Sequence, residues 1–159
     1  MFDTCNVVQG RCYGLDFHLD RLLSSAFAAR IEMRHEGHDI PTSVAKEHLK
    51  QVVLQTIAAS GRHDGIFVRY WLSAARGDFM VSPRKCLAMS EYEGPLSSPE
   101  IGGAQFYCMV HEGGSRDKAL AVADGITEAL VPHDAVPHKP PLLANTKTNN
   151  YLLNALTSM

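Results

Sequence analysis

No apolar run in these 159 residues approaches the roughly 20 that a membrane-crossing helix needs, so no spanning helix and no membrane partner are expected. Charge of one sign is lacking as well: 15 Lys and Arg against 17 Asp and Glu leave a formal net charge of −2. With no basic run to track a polyanion, nucleic acid is not an expected partner. There is no basic start followed by an apolar stretch, so no signal peptide is expected, and a removed transit segment would leave no trace. Cysteine is sparse. Cys5, Cys12, Cys86 and Cys108 contain no Cys-x-x-Cys and read as free thiols of a reducing compartment. Cys5 and Cys12 can face each other across a hairpin centred on Gln9-Gly10, with free thiols expected there over a disulfide. The one tryptophan, Trp71, is most simply core. Glu32, His35, Glu36 and His38 match no closed tetrahedral spacing, so no metal is expected. Gly113-Gly114-Ser115 does not open on a helix after a strand, which counts against a phosphate loop.

What is present is an ordinary globular composition, 45% hydrophobic and 20% charged, sized for one domain or for a small domain plus a piece of another. Residues 2–8 read as a strand, Gln9-Gly10-Arg11 as a tight turn, and residues 11–14 as the partner strand. Asp16 is placed to cap a helix over 17–30, whose stripe is Leu19, Leu22, Leu23, Ala26 and Phe27. A second helix is expected after Pro41, capped by Thr42 or Ser43, with Leu49, Val52, Val53 and Ile57 inward and Gly61 as its end. Strands follow over 65–74, 85–92 and 105–111. Two helices among hairpin-like strands predict an α+β fold with an antiparallel sheet. The polar stretch 113–124 reads as a linker between a domain of residues 1–112 and the start of another over 125–159.

Candidate chemistry centres on the last nineteen residues. Lys147 sits where an irregular, proline-rich approach gives way to a helical pattern at Tyr151-Leu152-Leu153. A half-buried lysine there has the setting in which an amine becomes nucleophilic and condenses with an aldehyde cofactor. A surface lysine beside a helix start is the plain alternative. His18 and Arg21 lie three apart on one helical face, where the arginine can form a bidentate pair with a phosphate or simply be a solvated surface charge beside Asp20. Arg69 alternates with apolar neighbours, so it either points into a cleft toward a carboxylate or lies on the exposed face of a half-buried sheet. Arg76-Gly77-Asp78-Phe79 reads as a turn.

Taken together, Phe2-Asp3-Thr4, His18-Leu-Asp-Arg21-Leu, the strand Val68 to Ser73 and Lys147-Thr-Asn-Asn-Tyr-Leu resemble the fold-type IV (class IV) pyridoxal-phosphate enzymes, in that family's order. That family includes D-amino-acid and branched-chain aminotransferases and aminodeoxychorismate lyases. The Arg69-Tyr-Trp-Leu-Ser-Ala74 run, with Gly77-Asp78-Phe79 and Ser82-Pro83, is especially similar to plant D-aminotransferase-like members. The resemblance implies pyridoxal 5′-phosphate as cofactor, amino acid and 2-oxo acid as substrates, a homodimer, and a chloroplast or cytoplasmic setting. It implies that Lys147 is the catalytic lysine joined to the cofactor and that Arg21 grips the cofactor phosphate. Phe2 stands where relatives often carry a carboxylate-binding tyrosine. Arg69 matches a substrate-carboxylate arginine. A second such arginine of D-amino-acid enzymes falls at Ala74, with Arg76 two residues on as a substitute. It implies further strands before Phe2 and a cofactor domain after the lysine helix that carries the acid for the pyridine nitrogen. On that basis the chain is expected to be an inactive fragment of a transaminase. The alternatives are aminodeoxychorismate lyase-like elimination and a non-catalytic interaction or dimerisation module.

Overall fold

The computed structural model describes residues 1–31, 33–35, 38–74, 104–112, 125, 138–152 and 155, with residues 34, 35, 38 and 39 by backbone only. The expected strand over 85–92, Arg76 and its turn, Cys86, Gly113-Gly114-Ser115 and the 113–124 linker lie outside the described residues.

Four strands make one antiparallel sheet: β1 (Phe2–Val8), β2 (Arg11–Cys12), and, after the helices, β5 (Ile66–Ser73) and β6 (Gln105–Glu112), in the order β2-β1-β5-β6. Two short strands, β3 (Arg34–His35) and β4 (His38–Asp39), pair only with each other. The two-residue turn between β1 and β2 puts Gln9 and Gly10 at φ 49° and 73°, the left-handed pair that a tight hairpin requires. The Gln9 N–H donates to Asp64 Oδ1 at 3.1 Å, which fixes the turn beside the start of β5.

Helices α1 (Leu15–Ala28) and α2 (Thr42–Ala59) cover one face of the sheet. Period-2 alternation decides what meets them: Asp3, Cys5 and Val7 from β1, and Ile66, Val68, Tyr70 and Leu72 from β5, are all buried. Leu19, Leu22, Leu49 and Val53, each at 0% exposure, fill the layer from the helix side. Asp20 pairs with Lys46 at 2.8 Å and Asp16 with Lys50 at 3.1 Å, tying the two helices on their solvent side.

Several boundaries depart from expectation. α1 begins two residues early, at Leu15 behind a left-handed Gly14, and Asp16 sits in its first turn facing Lys50 instead of capping. Pro41, not Thr42 or Ser43, is the cap residue of α2; its carbonyl accepts from the N–H groups of Val44 and Ala45. Gly61 ends α2 as expected, at φ 66° with its N–H on the Ala58 carbonyl. Phe27, expected inward, is 85% exposed, because eight residues carry it about 80° around the helix from Leu19. Trp71, expected in the core, is half-buried on the outer sheet face, since its neighbours Tyr70 and Leu72 take the inward positions.

Cys5, Cys12 and Cys108 are free, in keeping with the expectation of reduced thiols. Cys12 opposes Val7 across β1 and β2, so it and Cys5 are diagonal neighbours on one face, close enough for their thiols to interact. That interaction holds the Cys5 thiol below its ordinary value and pushes Cys12 up. Among the described residues no three ligands group as a metal site, and no helix is long and apolar enough to cross a membrane.

Candidate active site

Lys147 follows a single helical turn, α3 (Pro141–Ala144), and its backbone is tied to two elements far away in sequence. Its N–H donates to Ser25 Oγ at 2.9 Å, and that hydroxyl donates to the Arg21 carbonyl at 2.8 Å. Its carbonyl accepts from the Phe2 N–H at 3.4 Å. Ser25 is 2% exposed, so a buried hydroxyl satisfied on both sides sets where the lysine backbone lies. The helical pattern resumes beyond it, where the Ala155 N–H donates to the Tyr151 carbonyl at 2.9 Å.

The half-buried Lys147 side chain runs along aromatic surface. Its Nζ donates to Tyr151 Oη at 2.8 Å and lies 5.0 Å from the Phe2 ring centre and 5.5 Å from that of Tyr151. The two rings touch at 5.3 Å, tilted by 51°. Phe2 is shared further: the Arg69 guanidinium carbon stands 5.9 Å from its centre, and Lys139 Nζ stands 5.1 Å from that of Tyr151. Ring faces stabilise ammonium and guanidinium groups without neutralising them.

Arg21 approaches from α1. Its Nε donates to Asp3 Oδ2 at 2.9 Å and its Nη2 to Oδ1 at 2.7 Å, a two-pronged pair. His18 Nδ1 lies 2.9 Å from the same Nη2 and 3.2 Å from Oδ1. Asp3 also accepts from the Thr4 N–H at 2.8 Å. The Asp3 side chain is 2% exposed and that of Arg21 39%, so the carboxylate is the buried partner and the guanidinium reaches the surface. Thus Arg21 is neither free nor merely paired along its own helix with Asp20. Among the described residues Asp3 is the carboxylate at this site, and it is committed.

Arg69 lies on the outer face of β5, opposite Thr4, and its Nε donates to Thr4 Oγ1 at 3.2 Å. It spans Phe2 and Phe67, 5.7 Å from the latter's ring centre. Beside it, Met1, Trp71, Ser73, Tyr107, Met109 and Asn149 line an open groove of about 370 Å³. Ala74, half-buried just past β5, offers no cation there. The arrangement therefore gathers Lys147 and Arg69 around the Phe2 ring and ties the Lys147 backbone to that of Arg21 through Ser25, while Arg76 lies outside the described residues.

The family description Amino-transferase class IV matches residues 1–159. This chain belongs to the class IV aminotransferases. It is 35% identical over all of its 159 residues to the D-amino-acid transaminase, chloroplastic, of Arabidopsis thaliana. It spans about a third, 34%, of that relative's length.

In this class IV chain, Asp3, Ser25 and Tyr151 are site residues that the sequence reading passed over. Asp3 carried a usable signal: a charge at an inward position of an alternating strand needs a buried partner, and Arg21 was the nearest candidate of known interest. Tyr151 stands four residues after Lys147, the spacing at which helical side chains meet. Ser25 carried none, because a serine on an apolar helix face looks like a tolerated small residue.

Proposed function

We propose that this chain is the lysine-bearing part of a pyridoxal-phosphate-dependent transaminase that moves an amino group between an amino acid and a 2-oxo acid. The observation that carries the reading is Lys147: a half-buried amine anchored through its backbone to β1 and α1, on an aromatic floor, among cations. The printed name of the Arabidopsis relative makes D-amino acids the first donors to test. The division into residues 1–112 and 125–159 belongs to the same proposal.

The residues fit an anionic aldehyde. Lys147 and Arg69 bring positive charge to the Phe2 ring, while Arg21 stands on the helix side of β1, held by the Asp3 carboxylate. When bound, pyridoxal phosphate supplies an aldehyde for an amine and a conjugated ring that accepts the electron pair of a substrate Cα–H bond. Lys147 Nζ would hold the aldehyde carbon with loss of water and, once a substrate amine had displaced it, would be the base placed to move the proton of the substrate carbon. Tyr151 Oη orients that nitrogen by accepting its hydrogen bond. Arg21 would hold the phosphate, and Arg69 would receive the substrate carboxylate beside the Phe2 ring. Phe2 itself packs against both cations and offers no hydroxyl. The pyridine nitrogen needs an acid to become an effective electron sink, and Asp3, the buried carboxylate described at this site, is already held by Arg21.

The test is reductive trapping. Purified chain is incubated with pyridoxal phosphate, reduced with borohydride, digested and mapped. The expected result is label concentrated on Lys147 and lost in Lys147→Ala. Label spread evenly over the other lysines would sink the reading.

A further inference from the structure

Asp3 is a buried carboxylate with no part in the chemistry above, yet its contacts all bear on one residue. Two of its oxygens engage Nε and Nη2 of Arg21, at 2.9 and 2.7 Å, and His18 Nδ1 stands within 3.2 Å of both Oδ1 and Nη2. The Thr4 N–H, at 2.8 Å, fixes the carboxylate itself to the strand. An arginine has five N–H donors in a rigid plane. Holding Nε and Nη2 leaves the two N–H groups of Nη1 as the free end of the guanidinium, hydrogen-bonded to no described group, with the Phe17 ring centre 5.6 Å from its carbon. Because the plane is rigid, an anchor on one edge dictates where the other points.

We infer that Asp3 is a positioning residue, acting through Arg21 to aim the free guanidinium edge at the phosphate of an aldehyde-bearing phosphate ester. The inference rests on the reading of Lys147 and Arg21 under Proposed function. It adds a claim with a sign. By charge alone, a buried aspartate weakens anion binding, so neutralising it should tighten the phosphate contact. By geometry, neutralising it loosens the fork and should weaken that contact, because flexible cations lose more freedom on binding. The geometric effect prevails here because two charge-assisted bonds hold the fork while the Coulomb effect is screened: Arg21 is 39% exposed.

The experiment compares pyridoxal 5′-phosphate with pyridoxal, which lacks the phosphate, on the full 159-residue chain. The readout is the ratio of concentrations that half-saturate borohydride-trapped label on Lys147. The parent chain is expected to prefer the phosphate ester. Asp3→Asn, nearly isosteric and still able to accept from Thr4, is expected to lower that preference by roughly tenfold, as for a lost charge-assisted hydrogen bond. Label from pyridoxal should barely change. A preference that is unchanged or increased in Asp3→Asn overturns the inference, since a purely structural or electrostatic aspartate gives those results. Arg21→Lys supplies a second arm if Asp3→Asn does not fold. It keeps the charge but cannot present a fork, so it too should lose the preference, and retention overturns the inference. If Lys147 takes no label from either aldehyde in the parent chain, the proposed function itself has failed, an outcome distinct from the other two.

Discussion

At the scale of single residues, the chemistry-bearing groups were legible where a pattern forces them and illegible where only space does. Lys147 and Arg21 were named through the resemblance of their short runs to a known family, while their residue types alone left a surface lysine and a solvated arginine open. Ser25 could not be named, because the hydroxyl matters only for what it meets, a backbone 122 residues away. Tyr70 belongs to the same group. It reads as an ordinary inward strand residue, yet it is 0% exposed, and its hydroxyl lies 3.7 Å from Cys5 Sγ. Burial pushes its phenol above the ordinary value, so the neutral form is the one the fold accepts. For an acid whose folded value is raised, the stabilisation is present below the unfolded value, about 10 for tyrosine, and is lost as pH rises past it. The melting temperature of the chain should therefore fall between about pH 9 and 11. In Tyr70→Phe that fall should be shallower; thermal melts at three pH values check it, and parallel curves would count against the assignment.

At the scale of elements, α1, α2 and strands β1, β5 and β6 followed from periodicity and Gly61 ended α2 as expected, but neither helix N-cap did and β3 and β4 were not foreseen. A stripe such as Leu49 and Val53 recurs because the apolar layer demands it, whatever caps the helix. Caps depend on local competition: Asp16 had a lysine within reach and Pro41 had a carbonyl to offer, and neither is encoded in a propensity. The contrast between an inward and an outward position is measurable. Leu49→Ala should cost about 3 kcal/mol in urea unfolding, by transfer and cavity together, since Leu49 has no exposed surface. Phe27→Ala, at a larger but 85% exposed side chain, should fall within about 0.5 kcal/mol of the parent. Comparable losses at the two positions would mean that the α1 face is covered by something in solution.

At the scale of the whole molecule, the relevant fact is that the lysine segment is joined to β1 and α1 by few bonds. Removing one should separate the site from the sheet. Ser25→Ala deletes the acceptor of the Lys147 N–H, and that amide should exchange with deuterium at least about fivefold faster, as for a lost hydrogen bond of about 1 kcal/mol. Amides in β5 should keep their protection. Equal acceleration in both places would show one cooperative unit. The composition bounded the class of molecule, and the motif order its family. The meeting of residues 2, 25 and 147 was in neither, because it is a property of closure between distant parts of the chain.

That closure also sets a sequence of events in time. β1 and α1 leave the ribosome ahead of Lys147, which is made some 145 residues after Phe2. Synthesis at roughly 5–20 residues per second puts several seconds between them. The Asp3, His18 and Arg21 cluster uses only residues 3–21, so its partners are all available early. Arg21 can thus be set before the amine exists, and under the function proposed above the nascent chain would hold an anion receptor that waits for its nucleophile.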